Sequence, residues 1–193
     1  MPNPSLKRSA NVRHRMATAL PSDRERLIQA LEASDQRRRE HRAGRIEWLA
    51  LYEVSPPVVI GRTETIHVLR EAREVFVDGH FVAALMMAMS FIEHTIVEEL
   101  QLLGHVSGSL TFAQAIETAR EKKVFPSDWL VRAKTLSLRR NPFVHLKQGN
   151  HPHTLGMRIR HEKKHPEAIV EADAKDAIEL MYNFFIATLR ECV

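Results

Sequence analysis

The longest apolar run of the chain lies between Gly79 and Gly104, and from Phe81 to Ile92 it is apolar on nearly every side of a helix. A helix without a polar face must be buried all round, so this run predicts the central helix of a soluble bundle. The run itself is too short to span a bilayer, and charged residues follow at once. Glu93 is the first of them. Burying its charge costs several kcal/mol unless a partner neutralises it, so a basic partner is expected.

Apolar residues at helical spacing recur on both sides of this run, whereas the alternation typical of strands is hard to find. One stripe predicts a helix that begins near Thr63 and ends at Gly79. Later stripes predict helices that begin near Thr111, Pro126 and Asp173. Residues 157–160 alternate between apolar and basic side chains, which favours a short extended segment. The expected fold class is all-α.

Proline and charge divide the chain near residue 55. The sequence Ser-Pro-Pro at 55–57 breaks a helix. We therefore expect a basic tail and a charged helical arm over residues 1–55, and the main helical bundle over residues 56–193. The arginine run at 37–39 is either a phosphate-contacting patch or a solvated helix face. Packing of the arm on a second subunit is a further alternative.

Composition limits the function classes only weakly. The 193 residues are 44% hydrophobic and carry a formal net charge of +4, which permits a nucleic-acid partner without demanding one. The single cysteine, Cys192, excludes an internal disulfide and fits a reducing compartment. No apolar run follows the basic N-terminus, so we expect a cytoplasmic protein without a signal peptide; an organellar transit peptide is the alternative to a disordered basic tail.

The segment Arg140-Asn141-Pro142-Phe143-Val144-His145 is the candidate for chemistry. Positions five apart do not share a face of an unbroken helix, but Pro142 disfavours helix at Asn141 and predicts a break there. With Asn141 as the cap of a new turn, Arg140 and His145 could converge. Such a pair can cleave RNA without metal, because imidazole transfers protons near neutral pH and guanidinium stabilises phosphate charge.

Spacing alone is weak support for this segment, since the chain has 11 histidines and many arginines. Arg62 with His67 and Arg160 with His165 have the same spacing. Neither pair has an amide side chain directly after the arginine. The segment at 140–145 differs because it follows an amphipathic helix that should pack on the Glu93 helix.

This arrangement resembles the HEPN superfamily, whose small all-helical domains carry an Arg, a polar residue, three variable residues and a His late in a four- or five-helix bundle. The segment RNPFVH fits that pattern, and GHFVAALMMAMSFIEHTIVEEL looks like the long second helix of these domains. Glu93 matches the acidic residue that supports the motif from this helix. The resemblance covers residues 63–193 and leaves the arm without a counterpart. Pro142 stands at a variable position but constrains the backbone inside the motif.

The resemblance implies a metal-independent endoribonuclease that cleaves single-stranded RNA to a 2′,3′-cyclic phosphate, in a toxin–antitoxin or phage-defence setting. It implies a homodimer, a possible antitoxin or other protein partner, and no membrane partner or cofactor. The implied catalytic residues are Arg140, Asn141, His145 and Glu93. Other members of the family have lost catalysis, so a helical interaction or regulatory module is the alternative, with Glu93 paired elsewhere and the motif joining two helices.

Basic residues around the segment predict either a phosphate-binding rim or a solvated loop; the candidate RNA contacts are Arg139, Lys147, Arg158 and Arg160. His145, His151 and His153 match no usual zinc spacing, so no metal site is expected. Phosphate-binding glycine loops, nucleophile elbows and paired-carboxylate signals are absent from the sequence, which argues against ATP-dependent and glycosidase activities.

Overall fold

The structure, a computed structural model, describes residues 21–52 and 63–189, and this part of the chain is helical without any strand. The all-α prediction is therefore confirmed, as is a helical bundle. Seven helices are described: α1 (Pro21–Leu49), α2 (Thr63–Val77), α3 (Phe81–Leu102), α4 (Phe112–Glu121), α5 (Ser127–Val144), α6 (Leu155–Glu162) and α7 (Pro166–Thr188).

The contacts divide the chain into two units, Met1–Gly44 and Arg45–Val193. The first unit is described from residue 21, where it consists of the charged part of α1, with Leu27, Ile28 and Leu31 exposed. The second unit includes the last residues of α1, so the predicted arm at 1–55 ends in residues that belong to the main body. The predicted break at 55–57 lies outside the described residues.

The second unit is built around α3, which packs mainly on α7 and α2 and also on α4 and α5. The largest fully buried side chains of α3 are Leu85, Met89, Ile92, Ile96 and Leu100. The composition of α3 predicted that the helix is buried on every side, and this prediction was wrong. Met86 and His94 are exposed and Glu93 is half-buried, so one stripe of α3 faces outward and carries the carboxylate of interest.

The length of α3 also differs from the prediction. It has 22 residues, and among the described residues it is the one helix long and apolar enough to cross a membrane by length and composition alone. The prediction that the run is too short was therefore wrong. Half of its most apolar stretch is buried inside the protein. This burial is the pattern of a bundle's core helix.

The end of α1 fastens the turn between α2 and α3. Arg45 donates from Nε to the carbonyl of Val77 at 2.8 Å, and its guanidinium lies 5.6 Å from the ring centroid of Phe81. Gly79 at the turn has φ +84°, a conformation that glycine adopts without strain. A Cβ at Gly79 would lie 3.3 Å from Nη2 of Arg45. The turn therefore requires glycine for two reasons: the positive φ at position 79, and the closeness of the Arg45 side chain to that position.

Two later elements differ from the sequence predictions. Residues 157–160 lie inside α6, so the predicted extended segment was wrong; four alternating residues are too few to separate strand from helix. Arg158 is held instead by an ion pair with Glu162, one helical turn later, at 3.0 Å. The last helix begins at Pro166 rather than at Asp173, because His165 caps it by accepting from the amide of Glu167 and proline suits the first helical turn.

Candidate functional site

The helix that carries the Arg140 segment does not break at Asn141. Helix α5 runs from Ser127 to Val144 with Pro142 inside it, so the predicted new turn was wrong. Proline lacks an amide donor, so the helix forgoes the bond from position 142, but the amide of His145 still donates to the carbonyl of Asn141 at 2.8 Å. The chain leaves the helix at His145, whose backbone is extended (φ −124°, ψ 128°).

Arg140 and Glu93 face each other across α5 and α3. Nη2 of Arg140 lies 3.8 Å from Oε2 of Glu93, and the two side chains are 22% and 34% exposed. This is the basic partner that the sequence led us to expect for Glu93. The distance exceeds that of a hydrogen bond, and within the described residues the buried Nε of Arg140 has no hydrogen-bond partner. Glu93 therefore leaves the hydrogen-bond donors of this guanidinium unoccupied.

Asn141 and His145 occupy different surroundings. Asn141 is half-buried, whereas His145 is exposed directly after the end of α5. Positions five apart on a helix do not share a face. His145 lies just outside the helix, so its extended backbone determines the direction of its imidazole relative to Arg140. The structure thus pairs Glu93 with Arg140 and presents His145 from the following loop.

A cleft of about 550 Å³ lies beside Glu93. It is lined by residues of α2, α3 and the loop before α4: Glu64, Thr65, Glu93, His94, Val97, Glu98, Gln101, Ser109 and Leu110. Three carboxylates line it, so its own field does not favour a polyanion. Arg140 contacts Glu93 but does not line this cleft, and its cationic side chain suits a phosphate better than the cleft does.

Two of the predicted RNA contacts are held by an intramolecular partner. Asp173 of α7 is 1% exposed, and Nη1 of Arg139 lies 3.0 Å from its Oδ1. Arg158 contacts both carboxylate oxygens, with Nη2 at 3.0 Å from Oδ1 and Nη1 close to Oδ2. Lys147 is half-buried and Arg160 is exposed. Their contact with RNA stays a prediction.

Sequence reasoning missed Asp173 because it was read as a helix cap. The signal that could have found it is its place on the apolar face of α7, among residues such as Ile169, Val170 and Ala177 that are buried in the structure. An acid on a buried stripe requires a basic partner. Two arginines that flank a loop, Arg139 and Arg158, were available as that partner.

A second set of ion pairs joins α5 to α7, at positions nearer the start of α5 and nearer the end of α7 than the Asp173 contacts. Nη2 of Arg132 lies 2.6 Å from Oδ1 of Asp176 and 3.0 Å from Oε1 of Glu179. The hydroxyl of Tyr52 donates to Oε2 of Glu179 at 3.4 Å. Burial and the Glu179 carboxylate both raise the pKa of Tyr52. Arginines of α5 and acids of α7 therefore face each other along the contact between the helices.

The loop between α5 and α6 brings His151 and His153 together. Their ring centroids are 5.7 Å apart, and the amide of His153 donates to Nδ1 of His151 at 3.3 Å. Burial lowers the pKa of His153, and His151, Arg139 and Arg158 lower it further. In the part of the chain that the structure describes, no group of three His, Cys, Asp or Glu side chains is placed to hold a metal ion.

Comparison with known proteins found no relative: no family model, no curated protein and no solved structure matches the chain.

Proposed function

We propose that the protein is a metal-independent endoribonuclease of the HEPN type that cleaves single-stranded RNA and leaves a 2′,3′-cyclic phosphate. The observation that carries this proposal is the environment of Arg140. Its side chain is 22% exposed, its Nη2 lies 3.8 Å from Oε2 of Glu93, and its buried Nε has no hydrogen-bond partner among the described residues. The exposed part of this side chain is suited to bind a phosphate and to stabilise charge that develops on it.

In the proposed reaction the 2′-oxygen of the nucleotide attacks the adjacent phosphorus, and the bond to the 5′-oxygen of the next nucleotide breaks. His145 takes the proton from the 2′-hydroxyl or gives a proton to the leaving 5′-oxygen. Arg140 binds the phosphate oxygens and Glu93 orients Arg140. Asn141 donates a hydrogen bond to the phosphate. A homodimer would supply two copies of His145, one for each proton transfer.

The test is cleavage of a labelled single-stranded RNA in excess EDTA, with wild type, His145→Ala and Arg140→Gln compared at equal helical content. Cleavage by wild type alone, ending in a cyclic phosphate, is the expected result. His105→Ala, at the exposed turn after α3, is the matched control and should cleave like wild type. DNA should be inert because it lacks the nucleophile. DNA cleavage at a similar rate would exclude this mechanism.

The second candidate function is a non-catalytic interaction module that binds an antitoxin-like or other protein. Two observations favour it: Arg139 and Arg158 are occupied by Asp173, and apolar side chains are exposed on and after α5. These are Val131, Leu138, Val144 and Leu146. In this case His145→Ala leaves every biochemical property except stability unchanged, and no RNA is cleaved by any variant.

A further inference from the structure

The carboxylate of Asp173 joins three helices at one buried point. It is 1% exposed, and a buried charge persists only when it is paired and hydrogen-bonded. Arg139 reaches it from α5 and Arg158 reaches it from α6. Arg158 is also bonded through Nε to Glu162 at 3.0 Å. Each of α5, α6 and α7 contributes one charged side chain to these contacts, so a shift of one helix breaks an ion pair with another.

These contacts fix both ends of the loop that carries His145. Arg139 directly precedes Arg140 and stands six residues before His145, while Arg158 lies in the first half of the helix that follows the loop. The loop's own bonds are short-range, such as those from Thr154 to the carbonyl of His151. The long-range polar anchors near it are the two arginines on Asp173, and Phe143 and Leu155 add apolar contacts with the core on either side of the loop.

We propose that Asp173, Arg139 and Arg158 form a clamp that holds the end of α5 and the His145 loop, and that Arg139 is a positioning residue rather than an RNA contact. The proposal rests on the proposed ribonuclease function for its catalytic consequence. Its structural part, that the clamp orders the loop, is independent of any activity. An error of about 1 Å in the position of a catalytic group can reduce a rate a hundredfold, so such a clamp affects turnover without touching substrate.

Arg132 provides a matched control. It lies seven residues before Arg139 on the same helix and pairs with Asp176 and Glu179 of the same partner helix. Both arginines are 32% exposed. Arg139 also lies 3.9 Å from Asp176, so Arg132→Gln and Arg139→Gln each remove two ion pairs between α5 and α7, and only Arg139→Gln removes the pair with Asp173. A merely structural role predicts similar effects of the two variants, whereas the clamp predicts a local effect of Arg139→Gln alone.

The first measurement is hydrogen exchange of the backbone amides at 143–147 in both variants. The amide of His145, which is bonded to the carbonyl of Asn141, should exchange faster in Arg139→Gln than in Arg132→Gln. Equal exchange in the two variants at equal global stability would overturn the clamp. This measurement decides the structural part even if wild type cleaves no RNA, a result that would count against the proposed function alone.

The second measurement is cleavage kinetics as a function of salt. For Arg139→Gln the clamp predicts a kcat that is lower by roughly tenfold to a hundredfold, with KM and the salt dependence of binding unchanged. Arg132→Gln should keep kcat. A residue that contacts a phosphate would behave differently, with a raised KM and a salt slope smaller by about one. That result for Arg139→Gln would overturn the positioning role.

Discussion

The guanidinium of Arg140 and the carboxylate of Glu93 lie 3.8 Å apart, on two helices whose residues are far separated in the sequence. The pair is too distant for a hydrogen bond and close enough for electrostatic attraction. Glu93 therefore attracts the guanidinium without occupying its donors. This relationship explains why an acid can follow the most apolar part of α3 without a large energetic cost.

Glu93→Gln should reduce cleavage while preserving the fold. The neutral amide no longer attracts Arg140, so we expect kcat/KM to fall by about tenfold, which corresponds to roughly 1.4 kcal/mol in the transition state. Stability should change by less than about 1 kcal/mol because both side chains are partly exposed. RNA cleavage assays and urea unfolding measure the two effects. Glu121→Gln, at the exposed end of α4, should alter neither; an unchanged rate for Glu93→Gln would contradict the orienting role.

Asp173→Asn should destabilise the protein far more than Asp176→Asn. Both acids lie on α7 and pair with arginines of α5, but Asp173 is 1% exposed and Asp176 is 34% exposed. Removing the buried charge takes their shared partner from two arginines, of which Arg158 keeps Glu162 and Arg139 keeps the longer contact with Asp176. Breaking a buried pair in this way costs about 3–5 kcal/mol. Asp176 is half-buried, and its solvent-screened pairs with Arg132 and Arg139 are worth about 1 kcal/mol. Urea unfolding of the two variants gives the comparison, and equal losses would contradict the buried role of Asp173.

The helices that follow from hydrophobic periodicity were largely predictable. The stripe before Gly79 and the apolar run after it correspond to α2 and α3, and Thr111 caps α4 as its sequence indicates. Such elements depend on residues that are adjacent in the chain. The start of α7 was not found, because a histidine cap and a first-turn proline resembled the end of a basic linker.

At the site, a contact could be predicted only where a charged residue required a partner of opposite charge. An acid next to a buried run required a base, and Arg140 is that base. The continuity of α5 through Pro142 was missed because proline in a helix removes an amide donor and favours an end at the preceding residue. The helix instead forgoes the bond from position 142 and continues for two more residues to Val144. The partner of Arg139 and Arg158 was also missed. Their pairing with Asp173 depends on how three helices pack, which local sequence does not encode.

Gly79→Ala should destabilise the turn between α2 and α3. The residue has φ +84°, and an added Cβ would meet Arg45 at 3.3 Å. The backbone strain alone costs about 1–2 kcal/mol. Gly156→Ala, in α6 with no atom within 4 Å of the added Cβ, is the control and should be neutral or stabilising by up to about 1 kcal/mol. Thermal unfolding of both variants tests this, and a neutral Gly79→Ala would show that the turn relaxes.

The stability of the protein should depend on pH through His153. Burial, His151, Arg139 and Arg158 lower its pKa from the ordinary value of 6.5, so below that value the unfolded chain binds more protons than the folded chain. The His153 contribution is therefore complete above about pH 6.5 and is lost as the pH falls from there toward the folded pKa. Urea unfolding at a series of pH values measures it. His153→Gln should flatten the curve in this window, whereas His105→Gln should leave the slope in place. Parallel curves for wild type and His153→Gln would contradict the assignment and would point to another group that titrates in the same range.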